Sequence, residues 1–231
     1  MSKDMHQILS LDDKGVSQAV STAAKLFRMI LLDLNISPMQ WDRMLREYLK
    51  KPISGVANDR SKLSSQRSNF NRNLSRPRIT WRKFREGIDI LNPVKVNYEL
   101  DLEWDPKLTL PNEPPKQISM DRQNQSDELC QMFRYLLIGV GADRYRIWDK
   151  LLRRQIDKDF KGKEDNPPDK STERGNLHKS LINDKNSYTW ETFCRGLSVL
   201  GVMKATYHIN LTWRNGKSTR HSYKFITGTE R

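Results

Sequence analysis

The hexapeptide WDRMLR at residues 41–46 returns as WDKLLR at residues 148–153, and this recurrence determines the predicted fold. Matched positions keep their order on both sides of it, with offsets from 106 residues (Phe27 to Phe133) to 109 residues (Trp81 to Trp190). The six tryptophans form three matched pairs, which are Trp41 with Trp148, Trp81 with Trp190, and Trp104 with Trp213. Chance similarity does not align every tryptophan, so the sequence predicts two diverged copies of one domain.

Each copy is predicted to contain four helices followed by a strand or hairpin. The second helix has a stripe of apolar residues at i, i+3, i+4, i+7 and i+8, and Ser37-Pro38 supplies its N-cap and first turn. The third helix carries few apolar residues and is expected to face solvent. After the fourth helix the apolar period changes from 3.6 to 2, which is typical of a strand. The expected fold class is mainly α with a small β part (α+β).

Four prolines between Pro106 and Pro115 cannot continue a helix or a central strand. The predicted organisation is a flexible N-terminus at 1–16, repeat domain 1 at 17–110, a Pro-rich linker at 111–125 and repeat domain 2 at 126–231. Asn215-Gly216 predicts a type I′ turn between the last two strands. Whether the hairpins of the two copies pair with each other is left open by the sequence.

The 231-residue chain has a formal net charge of +13 and a pI near 9.8, with 36% hydrophobic residues. Such a charge points first to nucleic acid, then to an acidic protein or an anionic membrane. No apolar run is long enough to span a bilayer, and no signal peptide is recognised, so we expect no membrane partner. The expected location is the cytoplasm, of a host cell or inside a virion if a phage encodes the chain. Cys130 and Cys194 are predicted to be buried thiols.

Motifs of enzymes are missing from the sequence, and we expect no catalytic residues and no cofactor. Phosphate-binding loops, nucleophile elbows and zinc-protease motifs are all absent. The four histidines lack metal-ligand spacing, so no metal site is predicted. The matched Asp42 and Asp149 are interpreted as first-turn aspartates that oppose the helix dipole.

Two acid-free basic stretches are the strongest functional signal. Residues 60–85 hold nine Lys or Arg with interleaved Asn and Ser, and residues 204–224 coincide with the last hairpin. On exposed surfaces such residues neutralise phosphates and present amides to base edges, whereas a solvated basic face is the alternative. The candidates are Arg60, Lys62, Arg67, Asn69, Asn71, Arg72, Asn73, Arg76, Arg78, Arg82, Arg214, Lys217 and Arg220.

The run RGNLHKSL at residues 174–181, followed by a polar turn, Thr189-Trp190 and LGV at 200–202, resembles the helix-turn-helix region of lambda-repressor/Cro-like domains. The resemblance covers about a quarter of the chain. It implies recognition helices at Arg67–Leu74 and Arg174–Leu181, with Asn71, Arg72 and Asn73 in one copy and His178, Lys179 and Ser180 in the other pointing towards DNA. It adds Arg174, Asn176, His178 and Lys179 to the candidates. The general character of the sequence is similar to small basic proteins of tailed bacteriophages.

The sequence therefore favours a non-enzymatic protein that binds nucleic acid, with duplex DNA as the expected ligand. One chain would present two modules as a built-in pseudo-dimer, or two chains would form a homodimer. Equivalent helices would then meet successive major grooves about 34 Å apart. Regulation of transcription and packing of a genome both fit. The alternative is a structural or assembly protein, possibly of a virion, with duplicated protein-binding surfaces for acidic partners; RNA binding is a third hypothesis.

Overall fold

The computed structural model describes residues 22–50, 65, 67–69, 71, 81–122, 128–161, 169–182 and 190–226. Its helices are α1 (Thr22–Asp33), α2 (Pro38–Lys50), α3 (Trp81–Leu91), α4 (Glu128–Gly139), α5 (Tyr145–Asp159), α6 (Lys170–Ile182) and α7 (Trp190–Leu200). Its strands are β1 (Lys95–Trp104), β2 (Gln117–Asp121), β3 (Val202–Thr212) and β4 (Ser218–Ile226). The predicted α+β class is confirmed. None of the described helices combines the length and apolar character that crossing a membrane requires.

The four strands form one antiparallel sheet in the order β2-β1-β3-β4. β1 pairs with β2 in a register that places Tyr98 opposite Met120. Buried and more exposed residues alternate along β1, as the sequence pattern predicted. The central pair consists of β1, which follows the first set of helices, and β3, which follows the second set. The two hairpins therefore share one sheet, which answers the question that the sequence left open.

Strand β2 lies inside the segment predicted to be a Pro-rich linker. The prolines fall in the connection between β1 and β2, where no ladder hydrogen bond is lost. Trp104 Nε1 donates to the Pro115 carbonyl at 2.7 Å and ties this connection back to the end of β1. The residues that follow are then available for pairing, and Ile118 is buried.

The turn between β3 and β4 is not the predicted type I′ turn. That type requires positive φ at both central residues, but here Gly216 has a φ of 77° and Asn215 is not among the residues with positive φ. Gly216 N donates to the Trp213 carbonyl at 2.9 Å, and Trp213 N donates to the Lys217 carbonyl at 2.9 Å. These bonds define a three-residue loop with a left-handed glycine, which forms a β-bulge. The Asn215 side chain accepts from Lys217 N at 3.0 Å and stabilises the loop.

The predicted start of the second helix is confirmed in detail. Ser37 Oγ accepts from Gln40 N at 3.3 Å, while the Gln40 side chain accepts from Ser37 N at 2.7 Å. This reciprocal pair is a capping box, and Pro38 occupies the first helical position. The sequence also predicts Thr80 and Thr189 as the N-caps of the fourth helices, but both lie outside the described residues.

The described residues form two compact units, each with its own aromatic core. One comprises the chain up to Val94 together with Leu211–His221, and the other comprises Lys95–Asn210 together with the chain from Ser222. In the first unit, Phe27 contacts Trp41 edge-to-face with ring centroids 5.4 Å apart. In the second, the centroids of Phe133 and Trp148 are 6.1 Å apart. The apolar stripes predicted for the helices supply these cores.

The fourth helix of each set carries a glycine against a phenylalanine ring. A Cβ at Gly87 would lie 2.8 Å from Phe27 Cε2, and one at Gly196 would lie 2.7 Å from Phe133 Cε2. These glycines allow the helices to approach closely. Both phenylalanines are fully buried, so their rings have little room to move aside.

We predict that Gly196→Ala lowers the free energy of unfolding by about 1–3 kcal/mol, because the new methyl group overpacks the core. Gly175→Ala is the matched control, because nothing lies within 4 Å of a Cβ at that position of α6. In a helix the control substitution should stabilise by about 0.5–1 kcal/mol. Urea unfolding of the two variants measures both changes. A Gly196→Ala protein as stable as the wild type would contradict the packing described.

Candidate nucleic-acid interface

Helix α6 contains the second predicted recognition helix, and most of its surface is exposed. Only Leu177 and Leu181 are buried among its residues. This confirms the expectation that the helix would face solvent. Asn176, His178 and Lys179 are exposed. A helix with so little apolar contact needs other interactions to define its position.

Asp169 caps the start of α6. Its carboxylate accepts from the Thr172 hydroxyl at 2.6 Å and from Ser171 N at 3.0 Å. The Thr172 hydroxyl, followed by the backbone N–H groups of Ser171 and Thr172, holds the pKa of Asp169 below its ordinary value of 3.8. The predicted recognition helix begins at Arg174, whereas α6 begins at Lys170. Asp169 directly after Pro167-Pro168 is the signal that could have marked the helix start.

Two polar contacts fasten α6 to α5. Trp148 Nε1 donates to His178 Nδ1 at 2.8 Å. Arg174 Nε lies 3.3 Å from Asp149 Oδ1, and the other oxygen of Asp149 accepts from Arg153 at 2.8 Å. The matched Asp149, expected to serve the helix dipole, therefore forms ion pairs with two arginines. The tryptophan bond at one end and the ion pairs at the other together position α6 on α5.

The same contacts recur 107 residues earlier in the chain. Trp41 Nε1 donates to Asn71 Oδ1 at 3.1 Å, as Trp148 does to His178. Asp42 lies 3.2 Å from Arg67 and accepts from Arg46 at 2.8 Å, as Asp149 does from Arg174 and Arg153. Residues 65, 67–69 and 71, the described part of this segment, are helical.

These contacts correct part of the predicted DNA-facing set. Asn71 was expected to point towards DNA, but it is 2% exposed and its amide oxygen is bound to Trp41. Arg67 and Arg174 are half-buried ion-pair partners of Asp42 and Asp149. A side chain at such a position stabilises the packing of its own helix and does not contact a base. The resemblance to a helix-turn-helix motif could not distinguish the face of the helix that packs on the protein from the face that is exposed to solvent.

The outer face of α6 presents other members of the predicted set. Positions 172, 176, 179 and 180 follow helical spacing and carry Thr, Asn, Lys and Ser. Asn69, the counterpart of Asn176, is also exposed. Because Nδ1 of His178 accepts a hydrogen bond, the proton of the neutral ring resides on Nε2. The face thus offers hydrogen-bond donors and the cation Lys179, with Glu173, in the first turn of the helix, beside Asn176 and Ser180.

Three further predicted cations lie at the hairpin of β3 and β4. Arg214, Lys217 and Arg220 are exposed there. Arg82 on α3 is exposed as well, although its guanidinium lies 3.4 Å from Glu86. The remaining candidates, which are Arg60, Lys62, Arg72, Asn73, Arg76 and Arg78, lie outside the described residues.

The polar face of the sheet carries carboxylates, and sequence reasoning missed the network they form. His208 bridges three strands, with Nε2 2.8 Å from Asp101 and Nδ1 2.7 Å from Ser222. Lys204 donates to Glu103 at 3.0 Å and lowers the pKa of this glutamate from its ordinary value. Asn210 donates to Glu99 at 2.8 Å. Because the carboxylates of this face pair with Lys95, Lys204 and Lys224, the face offers phosphates little uncompensated positive charge.

The aromatic residues of the central strands do not form a stacking platform. Tyr98 and Tyr207 are 0% exposed, and their rings stack on each other with centroids 6.1 Å apart. Desolvation, with smaller contributions from Tyr98 and Glu128, raises the pKa of Tyr207 well above its ordinary value. In the sequence these tyrosines alternate with polar residues, which predicts a core position over a role in RNA binding, and that position is confirmed.

Within the described ranges, no cluster of three or more His, Cys, Asp or Glu side chains has a geometry suited to a metal ion. No protein-family model matches the chain, and no curated protein or solved structure matches it either. The functional interpretation therefore depends on the geometry of the described residues.

We predict that His178→Ala destabilises the protein by about 1 kcal/mol, because the buried Trp148 N–H loses its acceptor. His178→Asn is the control, since asparagine accepts the equivalent tryptophan bond at position 71. That variant should keep most of the wild-type stability. Thermal and urea unfolding compare the three proteins. Equal stability of His178→Ala and wild type would show that the hydrogen bond does not hold α6.

Proposed function

We propose that this chain binds nucleic acid, with duplex DNA as the ligand, through two related modules formed by one polypeptide. The outer face of α6 carries the proposal. It is largely exposed, with Glu173 as the single acidic residue of the helix, and polar contacts from α5 hold its inner face. A rigidly held helix with Asn and Lys outward suits contact with base edges and phosphates in a major groove.

A tandem duplication within the chain is supported by recurring contacts as well as by recurring residues. Four contacts of the first repeat have a counterpart in the second repeat. They are the hydrogen bond from a tryptophan to the third predicted helix, the ion pairs of one aspartate with two arginines, the contact of a glycine with a phenylalanine ring, and the ring contact of Trp81 with Phe84. Four independent contacts of this kind do not follow from similar composition alone. Both modules therefore present an equivalent polar helix, which is α6 in the second module.

The pairing of β1 with β3 supports a built-in dimer. Tyr98 and Tyr207 are matched positions of the two repeats, and they stack on each other. The outer strands are exchanged, since α4 contacts β2 while Asp33 of α1 lies 2.8 Å from His221 of β4. Such an exchange would make each module depend on the other.

The distribution of charge supports α6 and the last hairpin over other surfaces. The exposed cations Lys179, Arg214 and Lys217 come from these two elements, whereas carboxylates occupy the polar face of the sheet. Cations on either element would contact phosphates, which hold a protein in register on a duplex. Regulation of transcription or packing of a genome would use such contacts.

We predict that Lys179→Ala weakens binding to a labelled duplex and reduces the slope of log affinity against log salt by about 1. Fluorescence anisotropy at about 50 and 200 mM salt measures this slope, because phosphate contacts show themselves over that range. Lys204→Ala is the matched control, because it removes the same charge from a residue paired with Glu103 on the sheet. It should leave affinity and slope unchanged.

Absence of duplex binding by the wild-type protein at low salt would refute the proposal. Equal losses from Lys179→Ala and Lys204→Ala would show that total charge, not the α6 surface, governs binding. In that case a general attraction between a basic protein and polyanions would explain the result.

A further inference from the structure

Helix α5 begins with the run Arg144-Tyr145-Arg146, which combines two cations with an exposed ring. Tyr145 is 81% exposed, the highest value among the large hydrophobic side chains described. Arg144 and Arg146 are exposed, and no ion pair joins either to a residue that the structure describes. Lys150 lies one turn beyond Arg146 and is also exposed. We call these four residues the Tyr145 patch.

The patch is unfavourable for the helix that carries it. Arg144 is the N-cap residue but makes no side-chain capping bond, and the first turn holds no acidic residue. Cations at this end oppose the helix dipole, whereas an anion there is favoured. The capping box that begins α2 shows that this chain uses good caps elsewhere. A bound phosphate would relieve the unfavourable charge at the start of α5.

The patch lies beside the exposed face of α6. Trp148 contacts His178 near the end of α6, and Asp157 contacts Lys170 at its start, so the two helices are antiparallel. Tyr145 precedes Trp148 by three residues and hence lies one turn further along the side of α5 that faces α6. Tyr145 therefore lies near the last turn of α6, which ends at Ile182, and its side chain is open to solvent.

We propose that the Tyr145 patch binds an unpaired nucleotide, with the base stacked on Tyr145 and phosphates contacting Arg144 and Arg146. An aromatic ring among cations is the usual combination for single-stranded nucleic acid, because every base has a face that stacks. This inference rests on the proposed function and adds a ligand feature to it. The preferred ligand is a duplex with a single-stranded extension.

The first repeat lacks the patch. Positions 37, 38 and 39, which match 144, 145 and 146 at the offset of the tryptophan bond, carry Ser, Pro and Met. The capping box of α2 occupies this place instead. The two modules are therefore not equivalent, and the extension is held only by the second one.

The test compares a blunt duplex with the same duplex carrying a six-nucleotide thymidine extension, which we expect the wild-type protein to bind about tenfold more tightly. Tyr145→Ala should abolish this preference without changing affinity for the blunt duplex, while Tyr145→Phe should retain it. Tyr135→Ala is the control, because Tyr135 is also exposed, at 65%, but lies on α4. It should bind both probes as the wild type does. Circular dichroism verifies that each variant is folded.

Equal binding of the two probes by the wild type would overturn the inference and leave duplex binding intact. A preference that persists in Tyr145→Ala, or that Tyr135→Ala also abolishes, would overturn it as well. If the wild type binds neither probe, the proposed function itself fails, and this inference fails with it.

Discussion

The hydrogen bond from the Trp148 indole to His178 is the contact on which the candidate site depends. Helix α6 buries only two apolar side chains, so hydrophobic burial alone leaves its rotation poorly determined. The indole bond and the ion pair between Arg174 and Asp149 select the face that turns inward. Asn176 and Lys179 consequently point outward. A tryptophan is suited to this task because its large ring fills the core while its N–H reaches a polar partner.

Much of the fold was predictable because it follows from periodicity. The helical stripes, the capping box at Ser37 and the alternation in β1 each reflect a spacing that the sequence displays. Strand β2 was hidden, because the prolines that precede it indicate a break and its pairing partner is distant in sequence. The burial of Asn71 could not be predicted for the same reason, since its partner Trp41 lies 30 residues away. Contacts between distant residues decide such details, and a local pattern does not contain them.

The positions of the charged side chains, more than their net sum, determine which surface can bind a polyanion. The net charge of +13 favours polyanions in general and names no surface. In the folded chain, carboxylates such as Asp101 and Glu103 gather on the sheet, where His208 and Lys204 bind them. Lys179 of α6 is exposed on a face whose other outward residues include Thr172, Asn176 and Ser180. The sheet, whose carboxylates pair with Lys95, Lys204 and Lys224, would attract a nucleic acid less strongly.

Lysine footprinting on the duplex complex tests the assignment of α6, because it locates the bound surface without substituting a residue. The protein would be acetylated with and without DNA, and the modified lysines would be quantified by mass spectrometry. If α6 binds the duplex, DNA protects Lys179 and leaves Lys95, which pairs with Asp121 on the sheet, as reactive as before. Protection of Lys95 with an unchanged Lys179 would place the ligand on the sheet and contradict the assignment of α6.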